Sequence, residues 1–194
     1  MIEPIIAQFN QIYPLSEACN ERLREKLLLK EYPRKHQLLE ADKTASHVYV
    51  MLQGLARSWY VKDGIDITSR FMPEGFIITS FMSFYSRKPG AEFIDLLEDS
   101  IVAEIHYNDV QKIYRDFIEF NFVGRILTEK YFALSEQRTV NLRKTSAEEK
   151  FQFFLDTHPT LVNRVPSKHI ASYLGLSAET LSRLKEKMFR GTQE

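Results

Sequence analysis

Residues 166–188, PSKHIASYLGLSAETLSRLKEKM, have the spacing of two short helices joined by a tight turn. The apolar positions that fit two helices packed across a sharp bend are Ile170, Leu174, Leu176, Leu181 and Leu184. Ala171 has no side chain beyond Cβ, so the second helix can cross closely over the first, and Gly175 can adopt the positive φ that ends a helix. Ser177 is then the N-cap of the second helix. The sequence therefore predicts a helix-turn-helix.

Five residues of the second helix lie on the face turned away from the leucines. These residues are Ala178, Glu179, Ser182, Arg183 and Glu186. Because Glu179 and Arg183 are four residues apart, they share one side of the helix and can reach base edges in one major groove. The alternative is an ordinary helical hairpin in which these two side chains form a salt bridge along the helix.

The charge distribution gives modest support to a nucleic-acid module at the C-terminus. The chain has 26 basic and 26 acidic residues, but residues 141–194 contain nine Lys or Arg and six Asp or Glu, a balance of +3. The basic side chains expected to hold phosphates are Lys168, Lys185, Lys187 and Arg190. The small excess leaves open a sensor or scaffold protein whose helix-turn-helix contacts protein instead of DNA.

Upstream of this module, the pattern changes from helical to strand-like and back. Residues 2–29 have helical spacing, interrupted at Pro14 and Ser16. Residues 32–105 consist of short runs rich in Val, Ile, Phe and Tyr between turn residues, which predicts a β-roll or jelly roll. Within it, residues 47–61 are expected to form one strand that the Asp63–Gly64 turn folds back as a hairpin.

A long helix is predicted from about residue 119, and it has two apolar stripes. One stripe contains Phe120, Val123, Leu127, Leu134 and Leu142, and the other contains Phe122, Ile126 and Phe132. One stripe can cover the β-roll, and the other can pair with the same helix of a second copy; Val123, Leu127 and Leu134 are the expected dimer contacts. The alternative is that both stripes are buried within one chain.

The domain limits follow from these elements. Ser146-Ala-Glu-Glu149 has the pattern of a capping box that opens a new helix. We therefore expect an α+β protein with a β-roll domain at residues 1–118, a dimerisation helix and hinge at 119–145, and a helix-turn-helix domain at 146–194.

A β-roll, a long helix and a C-terminal helix-turn-helix, in that order, resemble the Crp/Fnr family of bacterial transcription regulators. The most specific part is HIASYLGLSAETLSRLKEK, residues 169–187, in which SAETLSR resembles the start of the family's recognition helix. The resemblance implies a homodimer on a roughly palindromic operator. It also implies that Arg183 pairs with guanine and Glu179 accepts from a cytosine amino group, helped by Ser182.

The effector region departs from the family pattern. Cyclic-nucleotide-binding members hold the ribose with a Gly-Glu pair and the phosphate with an Arg-Ser pair, whereas Ile78-Thr79 and Gly90-Ala91 stand at those places here. Burying a cyclic phosphate without a guanidinium is costly, so we predict a degenerate nucleotide site. A cyclic-nucleotide-responsive regulator with non-standard binding residues is the alternative. Arg87 and Lys88 are near enough to substitute, but beside Pro89 they are typical of an exposed turn.

The same region is crowded with aromatic and aliphatic side chains from Phe76 to Tyr85. They either fill the β-roll or line a pocket for an apolar effector of unknown identity. The candidate pocket residues are Phe76, Thr79, Ser80, Met82, Arg87 and Lys88.

The predicted DNA-binding module is expected to have fewer DNA-contacting features than related modules. Ala178 stands where some relatives have a further Arg, and the sequence ends at Glu194, which leaves little or no room for a β-hairpin wing. Fewer base or phosphate contacts are expected as a result.

No pattern for catalysis, metal binding or a cofactor is present. Cys19 is the only cysteine, and the five histidines lack the close His-x-His spacing of a metal site; His158 and His169 are expected at the surface. Glu92 and Asp95 are expected on a solvated edge. The N-terminus lacks a signal-peptide pattern, which favours a cytoplasmic protein that is not an enzyme.

Overall fold

The structure is a computed structural model that describes residues 1–144 and 146–190, with side chains for 1–144 and 146–187. The chain divides into two compact units. One contains residues 1–60 and 70–131, and the other contains residues 61–69 together with the chain from 132 onward.

Two helices open the first unit. They are α1 (Glu3–Ile12) and α2 (Glu17–Lys26). The Ser16 hydroxyl accepts a hydrogen bond from the Cys19 backbone N–H and so caps α2. The interruption predicted at Pro14 and Ser16 is confirmed.

The strands are β1 (Leu28–Tyr32), β2 (Gln37–Leu39), β3 (His47–Gln53), β4 (Ala56–Lys62), β5 (Ile65–Met72), β6 (Ile77–Ile78), β7 (Phe93–Leu96) and β8 (Ser100–His106). They form two sheets with the orders β1-β8-β3-β6 and β2-β7-β4-β5. Tyr49 and Met51 pack with Ile94 and Leu96 of the other sheet, whereas Val50 faces a cluster built from helices. Each face of β3 therefore has its own core, and the predicted β-roll is confirmed.

The strand expected over residues 47–61 is wrong in one respect, because it breaks at Gly54 into β3 and β4 of different sheets. Gly54 has φ +105°, and a Cβ there would lie 2.9 Å from the Asp99 carbonyl oxygen. Only glycine fits this bend. The turn at Asp63 and Gly64 is present, with φ values of 53° and 75°.

Three further helices begin in this unit: α3 (Phe81–Ser86), α4 (Tyr107–Asp116) and α5 (Phe120–Leu142). Val123 is completely buried in the same cluster as Phe9 and Phe120. It therefore cannot contact a second subunit, and that prediction is wrong. Leu127 packs against the same cluster, whereas Leu134 is 40% exposed. The apolar side chains in the first turns of α5 pack against their own chain. Sequence spacing alone does not reveal this.

The second unit contains α6 (Ala147–Thr157), α7 (Leu161–Arg164), α8 (Ser167–Leu174) and α9 (Ala178–Arg190). The Ser146 hydroxyl accepts from the Glu149 backbone N–H at 3.2 Å, so the predicted cap of α6 is present. Its core consists of Phe151, Phe154, Leu161, Ile170, Leu174, Leu181 and Leu184.

The tip of the β4–β5 hairpin belongs to this second unit. The Ser172 hydroxyl on α8 accepts from the Thr68 backbone N–H at 2.9 Å and donates to the Asp66 carbonyl at 3.0 Å. Within residues 1–144 and 146–190, no strand follows β8.

Over the described residues, none of the helices combines the length and apolar character needed to cross a bilayer. In the same part of the chain, no three His, Cys, Asp or Glu side chains group as a metal site would require.

Candidate nucleic-acid interface

The turn between α8 and α9 has the geometry that the spacing predicts. Gly175 has φ +64°, and its N–H bonds back to the Ala171 and Ser172 carbonyls. Ala171 is buried where the two helices meet, and its carbonyl also accepts from the Leu176 N–H at 2.9 Å. The Ser177 hydroxyl accepts from the Thr180 N–H at 3.1 Å, which satisfies a free donor at the start of α9.

The outward face of α9 presents exposed side chains with hydrogen-bonding groups. Glu179, Ser182 and Arg183 are exposed, whereas Leu181 and Leu184 on the opposite face are buried. Among the described residues, no ion pair within 4 Å joins Glu179 to Arg183. The salt-bridged hairpin is therefore not what this surface shows, and both charged groups are available to a partner.

The start of α9 favours the charged form of Glu179. The backbone N–H of Glu179 and then the Ser177 hydroxyl lower the pKa of its carboxyl group, and Arg183 adds a smaller effect. At neutral pH this side chain is an anionic hydrogen-bond acceptor, which matches a cytosine amino donor.

The four basic residues expected to hold phosphates have different surroundings. Lys168 and Lys187 are exposed, and the Lys187 ammonium lies 3.7 Å from the Glu148 carboxylate. Lys185 is half-buried, its ammonium donates to the Ser167 hydroxyl at 2.9 Å, and burial lowers its pKa. The Arg190 side chain lies outside the described residues. Lys168 is thus the one of these three lysines for which no ion pair or side-chain hydrogen bond to a described residue is found.

Sequence reasoning missed a link from α5 to the helix-turn-helix. The Arg138 guanidinium donates to the Thr68 carbonyl at 3.0 Å and to the Tyr173 carbonyl at 3.4 Å, and it lies 4.7 Å from the centre of the Tyr173 ring. The end of α5, the hairpin tip and α8 are therefore joined through one cation. An arginine within a polar stretch of helix gave no signal of this role.

The surface position expected for His169 is wrong, and His158 is only partly exposed. His169 is only 8% exposed. The His158 ring stacks on Phe154 and meets the Tyr173 ring edge-on, with ring centres 5.3 and 5.9 Å away. Burial lowers the pKa of His158. The partly exposed His158 ring thus packs against the core of the second unit.

The region expected to contain the effector holds an internal polar network. The Thr79 hydroxyl donates to the His47 carbonyl at 3.0 Å. Arg70 donates to the Thr79 carbonyl at 2.9 Å and to the Glu92 carboxylate at 3.1 Å, and the Ser58 hydroxyl also donates to Glu92. The solvated edge expected at Glu92 is wrong, because its carboxylate is held by side chains of the same sheet.

Asp95 also departs from the expected solvated edge. It lies on β7, an inner strand of its sheet, and its carboxylate is 3.4 Å from the guanidinium of Arg57, which is 4% exposed. Because this strand has a neighbouring strand on each side, its charged side chains are partly buried and require partners of opposite charge.

The six candidate effector residues do not surround one space. Thr79 and Ser80 are buried, Phe76 packs inside the roll, and Met82 is 84% exposed. Lys88 is exposed.

Arg87, in contrast, is fixed against its own chain. It has φ +56°, donates to the Ala45 carbonyl at 2.6 Å and lies 3.8 Å from the centre of the Tyr107 ring. The exposed turn expected for Arg87 is therefore wrong, and its guanidinium is already engaged.

Two antiparallel sheets followed by a long helix and a helix-turn-helix define the fold of the Crp/Fnr regulators, and solved structures share it. The structure of FixK2 from Bradyrhizobium japonicum is similar with a TM-score of 0.71 and 19% identity, covering 86% of each chain. A putative transcriptional regulator of the crp/fnr family from Eubacterium rectale gives a TM-score of 0.72 and 14% identity, with 93% of this chain and 88% of that chain covered. The global regulator CLP from Xanthomonas campestris, described as c-di-GMP responsive, gives a TM-score of 0.68 and 14% identity, covering 91% of this chain and 93% of that chain.

No family model matches the sequence, and no curated protein matches it. The similarity therefore establishes the fold.

Proposed function

We propose that this chain is a DNA-binding transcription regulator of the Crp/Fnr type. The observation that carries the proposal is the outward face of α9, where Glu179 and Arg183 are exposed and make no ion pair with each other. The opposite face of the same helix is anchored by Leu181 and Leu184, so these two groups project from a rigid support. The fold shared with solved regulators adds to this argument.

In the proposed complex, α9 enters the major groove. The Arg183 guanidinium donates to guanine O6 and N7, the Glu179 carboxylate accepts from cytosine N4, and Ser182 assists. Lys168 and Lys187 contact phosphates and set the register, whereas Lys185 mainly joins α9 to the start of α8. As a regulator of bacterial DNA, the protein would act in the cytoplasm.

We propose that the active form is a homodimer paired through α5. Four apolar side chains of this helix are exposed in the single chain: Phe122, Phe132, Leu134 and Val140. Phe132 is 67% exposed, which is costly for a phenylalanine on a helix that has no partner. Two recognition helices would then read half-sites about 34–36 Å apart on a roughly palindromic operator.

We further propose that the β-roll does not bind cyclic nucleotides in the family's usual manner. The Arg70 guanidinium, which could have met a cyclic phosphate, already pairs with Glu92. Calorimetry with cyclic AMP and cyclic GMP should give no heat of binding, and tight binding of either would contradict this part of the proposal.

The primary test is selection of bound sequences from a random DNA pool. We expect an enriched half-site for the unchanged chain, and we expect Arg183→Ala to lower the preference for its guanine by about 5- to 150-fold. Arg34→Ala removes an exposed arginine from the other compact unit and is the matched control. No enriched half-site, or an unchanged preference after Arg183→Ala, would overturn the assignment.

The dimer is tested separately by sedimentation. Phe132→Glu should shift the protein towards the monomer, because it places a charge in the proposed interface. Lys130→Glu, at an exposed position on the same helix, is the control for an added carboxylate. An unchanged dimer in Phe132→Glu would show that the interface lies elsewhere.

A further inference from the structure

A cavity of about 80 Å³ lies inside the first compact unit, on the helix-covered face of the sheet that contains β3 and β8. Its floor includes Val48, Val50 and Ile105, which face the helices, whereas Tyr49 and Met51 face the interior of the roll. The cavity is therefore on the opposite face of the sheet from the roll interior, where the Crp/Fnr resemblance places a nucleotide.

The walls of this cavity are largely apolar and come from all five helices of the unit. Apolar walls offer water few hydrogen bonds, and side chains around an unfilled space lose dispersion contacts. Roughly 10–15 Å³ is enough for one water, and an engineered cavity of about 150 Å³ holds benzene. The space here therefore suits a molecule smaller than a benzene ring.

One hydrogen-bonding group at the cavity is unused. The Tyr114 hydroxyl makes no hydrogen bond to another described residue, whereas the Thr79 hydroxyl donates to His47. The Tyr131 hydroxyl accepts from the Ile77 N–H. Burial raises the pKa of Tyr114 to about 12, so the phenol keeps its proton and can donate it in a hydrogen bond.

Gly124 on α5 is what allows Tyr114 to take this position. A Cβ at residue 124 would collide with the Tyr114 hydroxyl and ring, so any other residue would displace the phenol. Glycine in the interior of a helix lowers stability relative to alanine. Here the glycine leaves the space that the Tyr114 hydroxyl group occupies.

The cavity has a route to the outside between α3 and α5. Tyr85 and Thr128 line it and are exposed, and their hydroxyl groups are 3.4 Å apart. A small molecule can therefore enter by separating two surface side chains, without unfolding the core.

We propose that this cavity is a binding site for a small, mostly apolar molecule of roughly three to five non-hydrogen atoms that offers one hydrogen-bond acceptor to the Tyr114 hydroxyl. The site does not depend on DNA binding. Its apolar walls supply affinity, and the phenol selects for the acceptor.

Two probes test the site in the full chain by methyl NMR: xenon, which is purely apolar, and 2-butanone, which adds a carbonyl acceptor. Both should cause saturable shifts of the Val48, Val50 and Ile105 methyl groups and leave those of Leu161 and Leu181 unchanged. Absence of these shifts, or shifts that grow linearly without saturation, would overturn the proposal.

Two variants separate shape from hydrogen bonding. Tyr114→Phe should keep xenon binding and weaken 2-butanone by about three- to ten-fold. Leu127→Phe should fill the cavity and abolish both, whereas Leu28→Phe, the same change at an exposed position on β1 that does not line the cavity, should bind both normally.

Equal affinity of Tyr114→Phe for 2-butanone would overturn the role of the phenol. Undiminished binding by Leu127→Phe would overturn the location. Should Leu127→Phe fail to fold, xenon located in crystals of the unchanged chain decides the location: density in the cavity supports the site, and density elsewhere overturns it.

Discussion

The outward face of α9 and the interior of the β-roll each contain an arginine and a glutamate, and they use them in opposite ways. In the roll, Arg70 and Glu92 are 3.1 Å apart and largely buried, and Ser58 also donates to the carboxylate. On α9, Glu179 and Arg183 share one helix face and make no ion pair with each other. The first pair supports the fold, whereas the second pair is exposed and is assigned to DNA only in the proposed complex, so burial and pairing distinguish the two arrangements.

The largest expected effect comes from exchanging the two arginines for alanine, one at a time. Arg70→Ala leaves the Glu92 carboxylate without its cation in a mostly buried place, and we expect a loss of about 2 kcal/mol in the free energy of unfolding. Arg183→Ala should change that free energy by no more than about 0.5 kcal/mol. Urea unfolding measures the free energy of unfolding of both variants. Equal losses would contradict the distinction between a buried, paired arginine and an exposed one.

A smaller effect is expected at Ser177, which connects the exposed face of α9 to the fold. Ser177→Ala removes the hydroxyl that accepts from the Thr180 N–H, and a lost N-cap costs about 1 kcal/mol of stability. Ser182→Ala, at an exposed position within α9, is the matched control and should be nearly neutral. A loss of the same size in both variants would mean that the cap does not hold the start of the helix.

The smallest effect is a pH dependence from the core of the second unit. Because burial lowers the pKa of His158 below its ordinary 6.5, the unfolded chain binds more protons than the folded chain between these two values. Stability should therefore fall as pH drops through 6.5 towards the folded pKa. Burial lowers the pKa of His47 as well, so both histidines contribute to the pH dependence of stability. The contribution of His158 is the part of this pH dependence that is lost in His158→Gln.

Thermal melting between pH 7.5 and 5.5 measures this difference. We expect the slope for His158→Gln to be shallower than for the unchanged chain. Identical slopes would mean that His158 titrates alike in both states.

Local features of the structure follow closely from the sequence. The turn at Gly175, the cap at Ser146 and the break between α1 and α2 each depend on a few neighbouring residues whose conformational preferences are strong. The outward position of Glu179 and Arg183 follows from helical periodicity alone. Their base-reading role stays a prediction.

The features that sequence reasoning missed depend on packing between distant segments. Val123 and Leu127 belong to one stripe, and nothing local shows that both are used within the chain. Glu92 has the local signature of a solvated carboxylate, and its partner Arg70 is 22 residues away along the chain. The cavity at Tyr114 is formed by five helices and a sheet, and Gly124, inside the predicted long helix, is a sequence signal that could have pointed to it.

The hydrogen bonds of Ser172 to the hairpin tip affect how the chain can be cut. A fragment that starts at residue 132 would contain all of α6 to α9, but it would lack Asp66 and Thr68 and so leave the Ser172 hydroxyl and the Arg138 guanidinium short of acceptors. A protease that nicks the β4–β5 turn would disturb the same bonds while leaving the helices intact. The second compact unit thus includes nine residues, 61–69, from an earlier part of the sequence. A fragment produced by cutting the chain within the long helix therefore lacks part of this unit.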